Sequence, residues 1–199
     1  MSAEDLRTLF SADETTIYEK TCKDPLIYLY RFCVLTGARP GEALALKKEN
    51  VKTDRIEVKG SINRYREFTA GKNENAIRSL SLSLQVRLVL LAQEKAQKEK
   101  KIKSPFLFTD KNGLPLSQVQ FRDGLAKFCK HNGMEIYRPY ELRHTFCSMN
   151  TAMPEKLKKL VMGHSTNMDT EGVYGHEIDG DLAAAGACVD AAIAKVLGA

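Results

Sequence analysis

The chain has 199 residues, 43% of them hydrophobic and 28% charged, with a formal charge of +5. That length suits one domain with its own core, and with no apolar run long enough to span a bilayer and no basic-then-apolar start, the reading is a protein that stays in the cytoplasm. Five widely spaced cysteines (Cys22, Cys33, Cys129, Cys147, Cys188) form no CxxC pair and the four histidines lack metal-ligand spacing, so neither a disulfide framework nor a structural metal is expected.

The charge is unevenly placed. From residue 177 onward four acids accompany one base, a net of −3, which leaves +8 on residues 1–176. A basic body suits a polyanionic partner, although mild basicity alone is weak evidence.

In chain order, Ser2 with Asp5 three residues later is a helix start, followed by Leu6, Leu9 and Phe10 on one side. Asp24-Pro25 opens a second helix carrying Leu26, Leu29, Tyr30 and Cys33, which ends at Gly37. Pro40 then occupies a favoured first position of a third helix running to Leu46, so Arg39 falls at a helix junction. Between Arg55 and Leu82 the period changes to alternation, and three short antiparallel strands are predicted around a polar turn at Lys72-Asn73-Glu74-Asn75. Leu84, Leu88, Leu91 and Ala92 mark the apolar side of a further helix whose end, Lys95 to Lys103, is a charge run best read as solvated.

Ser104 to Ser117 reads as a loop with a short extended piece at Phe106-Leu107-Phe108 and a turn at Asn112-Gly113. Ser117 caps a helix expected to bury Val119, Phe121, Leu125 and Phe128. Helices near Tyr140 to Met149 and Pro154 to Met162 follow, the second stopped by Gly163, then a short one ending near Tyr174. An Ala-rich segment, Asp181 to Leu197, closes the chain with Leu182, Val189 and Ile193 as its greasier positions. The expected architecture is mainly α with a small three-stranded antiparallel sheet.

Three local words carry the chemistry: Thr36-Gly37-Ala38-Arg39-Pro40-Gly41-Glu42, Tyr140-Glu141-Leu142-Arg143-His144-Thr145-Phe146, and Leu160-Val161-Met162-Gly163-His164 with Tyr174 ten residues on. Arg39, Lys72, Arg143 and His164 would surround one phosphate with positive charge, and Tyr174 would supply an aromatic hydroxyl to attack it. In this order the words resemble the catalytic domain of the tyrosine recombinases, the phage-integrase family, from about Ala3 to His176.

The resemblance implies roles residue by residue. Arg39 and Arg143 would clamp the scissile phosphate, for which a planar fork of permanently charged donors is suited. Lys72, in the hairpin between the second and third strands, would protonate the leaving 5′-hydroxyl. His164 would hydrogen-bond the phosphate and order Tyr174, the nucleophile. Glu42 would brace the site close to Arg143 or His144, and His144 would support it. Arg78, on the returning strand, would contact backbone phosphate or pair locally. Taken alone, each residue has a plainer reading: a solvated hairpin lysine, a capping histidine, a core tyrosine.

One departure stands out. The family's His-x-x-Arg word is Tyr140-Glu141-Leu142-Arg143 here, and a phenol is a poor base for Tyr174 at neutral pH. By resemblance the catalytic domain would be residues 1–176, followed by a tail helix, 177–199, that packs on its own domain or docks on a neighbour. The N-terminal core-binding domain usual in the family is expected to be absent. The implied activity is cleavage and rejoining of double-stranded DNA through a 3′-phosphotyrosine, with no cofactor, by a homo-oligomer that is a tetramer on DNA and is assisted by accessory factors. The rivals are a DNA-binding module whose chemistry is lost, which Tyr140 would favour, and a topoisomerase of the same chemistry.

Overall fold

One segment organises the molecule because its apolar residues do not alternate with polar ones. Ile27–Thr36 reads Ile-Tyr-Leu-Tyr-Arg-Phe-Cys-Val-Leu-Thr, and a helix that is apolar all round has to be surrounded. The computed structural model describes residues 1–70, 78–163 and 180–198. In it Leu29, Tyr30, Phe32, Cys33, Val34 and Leu35 of this segment are fully buried.

The described helices are α1 (Ala3–Ser11), α2 (Ile27–Thr36), α3 (Pro40–Ala45), α4 (Leu84–Glu99), α5 (Gln118–His131), α6 (Pro139–Met149), α7 (Glu155–Met162) and α8 (Asp181–Leu197). Helices α1, α3, α4 and α6 pack around α2, and Tyr30 stacks on Phe121 of α5 with ring centroids 5.9 Å apart. Among the described residues no helix is long and apolar enough to cross a membrane. The mainly helical class read from the sequence holds.

Helix limits follow local chemistry. Ser2 Oγ accepts the Asp5 N–H at 3.0 Å, while Ser117 and Gln120 cap each other reciprocally, at 3.0 and 2.9 Å, to start α5. Helices α2 and α7 end on Gly37 and Gly163, at φ of 64° and 59°, the left-handed conformation that glycine adopts without a Cβ penalty. At the opposite end of α2, Asp24 Oδ1 accepts the Leu26 N–H at 2.7 Å. Burial raises that carboxyl to about 6 despite the backbone N–H and the nearby Tyr30 and Thr15 hydroxyls.

The strand region departs from the expected three strands. The first is broken at Lys59 into β3 (Arg55–Val58) and β4 (Gly60–Ile62); β3 pairs antiparallel with β6 (Arg78–Ser81), and β4 with β5 (Phe68–Ala70). A further hairpin, β1 (Glu14–Ile17) with β2 (Lys20–Lys23), was not expected. Its turn uses Tyr18 and Glu19 at φ of 48° and 62°, where the usual turn signal is glycine or asparagine.

The charge-run helix is present, but its buried side is not the predicted one. Leu84, Leu88 and Leu91 are exposed, whereas Val86, Val89, Leu90, Gln93 and Gln97 are buried. The two glutamines explain the choice, since Gln93 and Gln97 each donate to the Leu107 carbonyl, at 2.7 and 2.8 Å. They thereby satisfy a loop that would otherwise bury an unpaired acceptor. In α5, Phe121, Leu125 and Phe128 are buried as expected and Val119 is exposed. Helix α8 packs on α7, β6, α1 and α4 of its own chain. There Asp190 caps the start of α4 by accepting the Leu84 and Gln85 N–H groups at 2.9 and 3.0 Å.

Candidate active site

Three elements that are distant in sequence converge at the carboxyl ends of α2 and α7. The first is the turn into α3. Arg39 is the residue before Pro40, so its N–H has no helical partner, and Glu42 Oε2, three residues on, accepts it at 2.8 Å. The same carboxylate takes the Arg39 side chain, Nη1 to Oε1 at 2.8 Å. Arg39 Nη2 reaches the Gly163 carbonyl at 3.1 Å, and the side chain remains 39% exposed, open to a ligand.

The second element is α6. Its Arg143 is 6% exposed and donates from Nη1 to the Gly37 carbonyl at 2.6 Å and from Nη2 to the Met162 carbonyl at 2.7 Å. Both acceptors lie at helix carboxyl ends, where carbonyls lack intrahelical partners and the helix dipole favours a cation. Burial, together with the like charges of Arg78 and Arg39, lowers the Arg143 guanidinium to about 10.

The third element is β6. Arg78 donates from Nη2 to Glu42 Oε2 at 2.7 Å, with its side chain only 7% exposed, and from Nη1 to the Val161 carbonyl. Burial alone would raise the Glu42 carboxyl; Arg78 and Arg39 outweigh it and hold the group below the usual carboxylate range. Two guanidiniums, Arg39 and Arg78, therefore share one carboxylate, a third, Arg143, is held by backbone carbonyls beside them, and the cluster keeps a positive excess.

Glycine is required twice here. A Cβ on Gly163 would stand 2.4 Å from Arg78 Cδ, and one on Gly37 would stand 2.9 Å from Phe146 Cδ1. Each position joins a left-handed φ to a close approach by the site itself.

Of the residues singled out in the sequence, Arg39, Glu42, Arg78 and Arg143 come together. Lys72, His164 and Tyr174 lie outside the described residues. Tyr140 is 56% exposed and His144 is exposed on the same helix as Arg143. Glu42 was expected beside Arg143 or His144, but its hydrogen bonds go to Arg39 and Arg78. Arg78, expected on DNA phosphate or in a local pair, makes the pair and is buried in it. A signal for that burial was present: Arg78 is in phase with Leu80, and the register sets these two opposite Val58 and Ile56, all on the inward face. Among the described residues no group of three or more His, Cys, Asp or Glu could hold a metal.

A profile of the phage integrase family matches residues 1–180. The chain belongs to the phage integrase family. A prophage ps2 probable integrase of Lactococcus lactis subsp. lactis (strain IL1403) is 26% identical, over 80% of this chain and 47% of that protein. The chain thus spans about half the length of the curated relative it matches. Among solved structures, this integrase-family chain resembles the Tn1549 transposon integrase (residues 82–397) in complex with circular intermediate DNA, with a TM-score of 0.66, 21% identity, and 82% of this chain and 57% of that one covered. XerA recombinase has a TM-score of 0.61 at 18% identity, covering 91% and 58%. XerH recombinase bound to a palindromic difH substrate has 0.59 at 20%, covering 83% and 46%. At these identities the likeness is one of fold, that of the tyrosine recombinase catalytic domain.

Proposed function

We propose that this chain carries the catalytic machinery of a site-specific DNA recombinase that integrates or excises a mobile element. The observation that carries the reading is the cluster of three arginines with one carboxylate among them, Arg39 and Arg78 paired with Glu42 and Arg143 held alongside by the Gly37 and Met162 carbonyls. Two carbonyl-bearing helix ends and one carboxylate hold these guanidiniums together but leave a net positive charge, and a phosphodiester carries the charge and geometry to match it. Arg39, 39% exposed, is the donor whose geometry leaves it open to a non-bridging oxygen; for Arg143, buried and held by two carbonyls, the same role rests on its place in the family's pattern.

In this reading the Tyr174 phenol oxygen attacks the scissile phosphorus, its proton passing to solvent water, and the bond to the 5′-oxygen breaks. A 3′-phosphotyrosine forms, and Lys72 gives its proton to the departing 5′-oxygen. The reverse attack by a 5′-hydroxyl of a partner duplex rejoins the strand, so the phosphodiester energy is conserved in the covalent bond. His164 hydrogen-bonds the same phosphate. The partner is double-stranded DNA, and strand exchange requires several copies of the chain, four in the simplest arrangement on two duplexes.

Incubating the protein and its Tyr174→Phe variant with nicked duplexes from the ends of the source element tests this directly. A protein–DNA adduct that survives denaturation is expected with wild type alone. DNA binding without any adduct would overturn the reading in favour of a binding module.

A further inference from the structure

We infer that Arg78 is a positioning residue that acts through Glu42 on Arg39 and through Val161 on the α7 turn leading to His164. This role rests on the strand-cleavage reading above. Its guanidinium is spent inside the protein: one terminal nitrogen on Glu42 Oε2 at 2.7 Å, the other on the Val161 carbonyl, with the side chain 7% exposed. Nothing is left to present to a duplex. The stem lies against Gly163 so closely that a Cβ there would meet Arg78 Cδ at 2.4 Å and Nε at 2.8 Å.

The consequence is geometric. Glu42 has two oxygens and three donors to serve: the Arg39 N–H, the Arg39 guanidinium and Arg78. By holding Oε2 from the far side, Arg78 fixes the plane of the carboxylate, and with it the direction in which Oε1 aims Arg39. The other arm of the fork takes Val161 O, one of the last carbonyls of α7, which has no helical partner among the described residues. One planar group thereby sets the spacing between the α3 start, which carries Arg39, and the α7 end, which precedes His164. It also stands six residues after Lys72 on the strand that returns from that segment.

A lysine cannot do this, because an ammonium is a point charge without a fixed fork. Nor is stability the natural explanation, since buried ion pairs commonly add little net stability over apolar packing. Arg78 Nε is moreover buried without a hydrogen-bond partner among the described residues, a cost that an apolar side chain would avoid.

The test uses the full chain with Arg78→Lys, Arg78→Gln and the Glu42→Gln/Arg78→Gln double variant. Three quantities are read at a temperature where all remain folded: affinity for a nicked duplex at several salt concentrations, the single-turnover rate of adduct formation, and amide exchange at Arg39 and Gly163. Both single variants should keep DNA affinity and its salt slope within about twofold, because no phosphate contact is lost. Both should form adduct roughly 100-fold more slowly, as displaced reacting groups do. Exchange at Arg39 should quicken at least about tenfold, and the double variant should form adduct no more slowly than Arg78→Gln alone, since both changes break one network. Loss of affinity with a shallower salt slope would make Arg78 a phosphate contact and overturn the proposal. So would wild-type cleavage by Arg78→Lys, or unchanged exchange at Arg39. A wild-type chain that forms no adduct would instead overturn the recombinase reading, and the exchange measurement then decides the positioning role by itself.

Discussion

The chain writes the same four-residue pattern twice, Arg39-Pro40-Gly41-Glu42 and Arg138-Pro139-Tyr140-Glu141, and uses it for different ends. In both copies proline occupies the first helical position, and the glutamate three residues after the arginine accepts that arginine's N–H, at 2.8 and 2.7 Å. Locally they are one device for starting a helix. The first becomes the centre of the arginine cluster, whereas the second remains a surface cap with Arg138 and Tyr140 exposed. What separates them is the third residue. At Gly41 a Cβ would stand 2.3 Å from Ser61 Oγ and 2.8 Å from the Ile62 carbonyl, so β4 lies directly on the turn and shuts water away from Glu42. Tyr140, at the matching position, is 56% exposed. Tertiary packing, not the local pattern, turns a helix start into a site.

The sharpest way to break this comparison is to remove each glutamate. Glu42→Ala leaves Arg78 buried with its charge uncompensated, and should cost about 3–5 kcal/mol of stability together with the loss of adduct formation. Glu141→Ala removes only a cap contact, and should cost on the order of 0.5–1 kcal/mol while cleavage persists. Urea denaturation of both variants, beside the adduct assay, measures the contrast. Equal losses would mean that Glu42 is also no more than a cap.

The same contrast shows what the sequence made legible. Helix starts at Ser2, Pro40 and Ser117 and stops at Gly37 and Gly163 could be read because capping chemistry is local. The grouping of Arg39, Glu42 and Arg143 was expected only because their words resemble a family; the glycine in the first R-P-x-E word permits a close neighbour there but does not say which strand supplies it. Where two periodic stripes competed, as on α4, the more apolar one was the wrong choice. Glutamines took the core side because the loop at Phe106 and Leu107 needed donors, a demand set some ten residues away. Hairpin β1–β2 was missed because its turn residues carry no turn signal. Arg78 was legible in part: of its two readings, phosphate contact or ion pair, strand phase favoured the inward one, yet arginine is so seldom buried unless paired that its partner had to be seen first.

Gly41→Ala tests the packing that differs between the two words. The neighbours in its way are a serine hydroxyl, which can turn aside, and a backbone carbonyl, which cannot without moving β4. The expected cost is about 1–3 kcal/mol, with slower adduct formation because Glu42 shifts with the turn. Tyr140→Ala, at the matching position, should stay within about 0.5 kcal/mol of wild type. Its effect on cleavage separately reports whether the phenol at the family's histidine position takes part. A Gly41→Ala variant as stable as wild type would show that β4 is not what closes the site.

Acid titration sharpens the comparison in a last way, by setting Glu42 against a second buried carboxyl, Asp24, which has hydroxyls and only the weaker pull of the Lys100 charge, with no ion pair among the described residues. Glu42 is held below its unfolded value of 4.5 by Arg78 and Arg39, so its contribution to stability is fully present above 4.5 and is lost as pH falls through the lowered folded value. Asp24 has the opposite sign. Its folded value, about 6, lies above its unfolded value of 3.8, so the folded state binds the proton first and stability rises as pH falls from 7 toward 4. The slope from one such group is at most about 1.4 kcal/mol per pH unit. Denaturation midpoints of wild type should therefore pass through a maximum on acidification. Asp24→Asn should remove the rise between pH 6 and 4, and Glu42→Gln should flatten the fall below 4.5. If Asp24→Asn left the rise intact, burial without an ion pair would not be what distinguishes this end of α2 from the arginine end, and the partners of Glu42 would lose their claim to have made the difference.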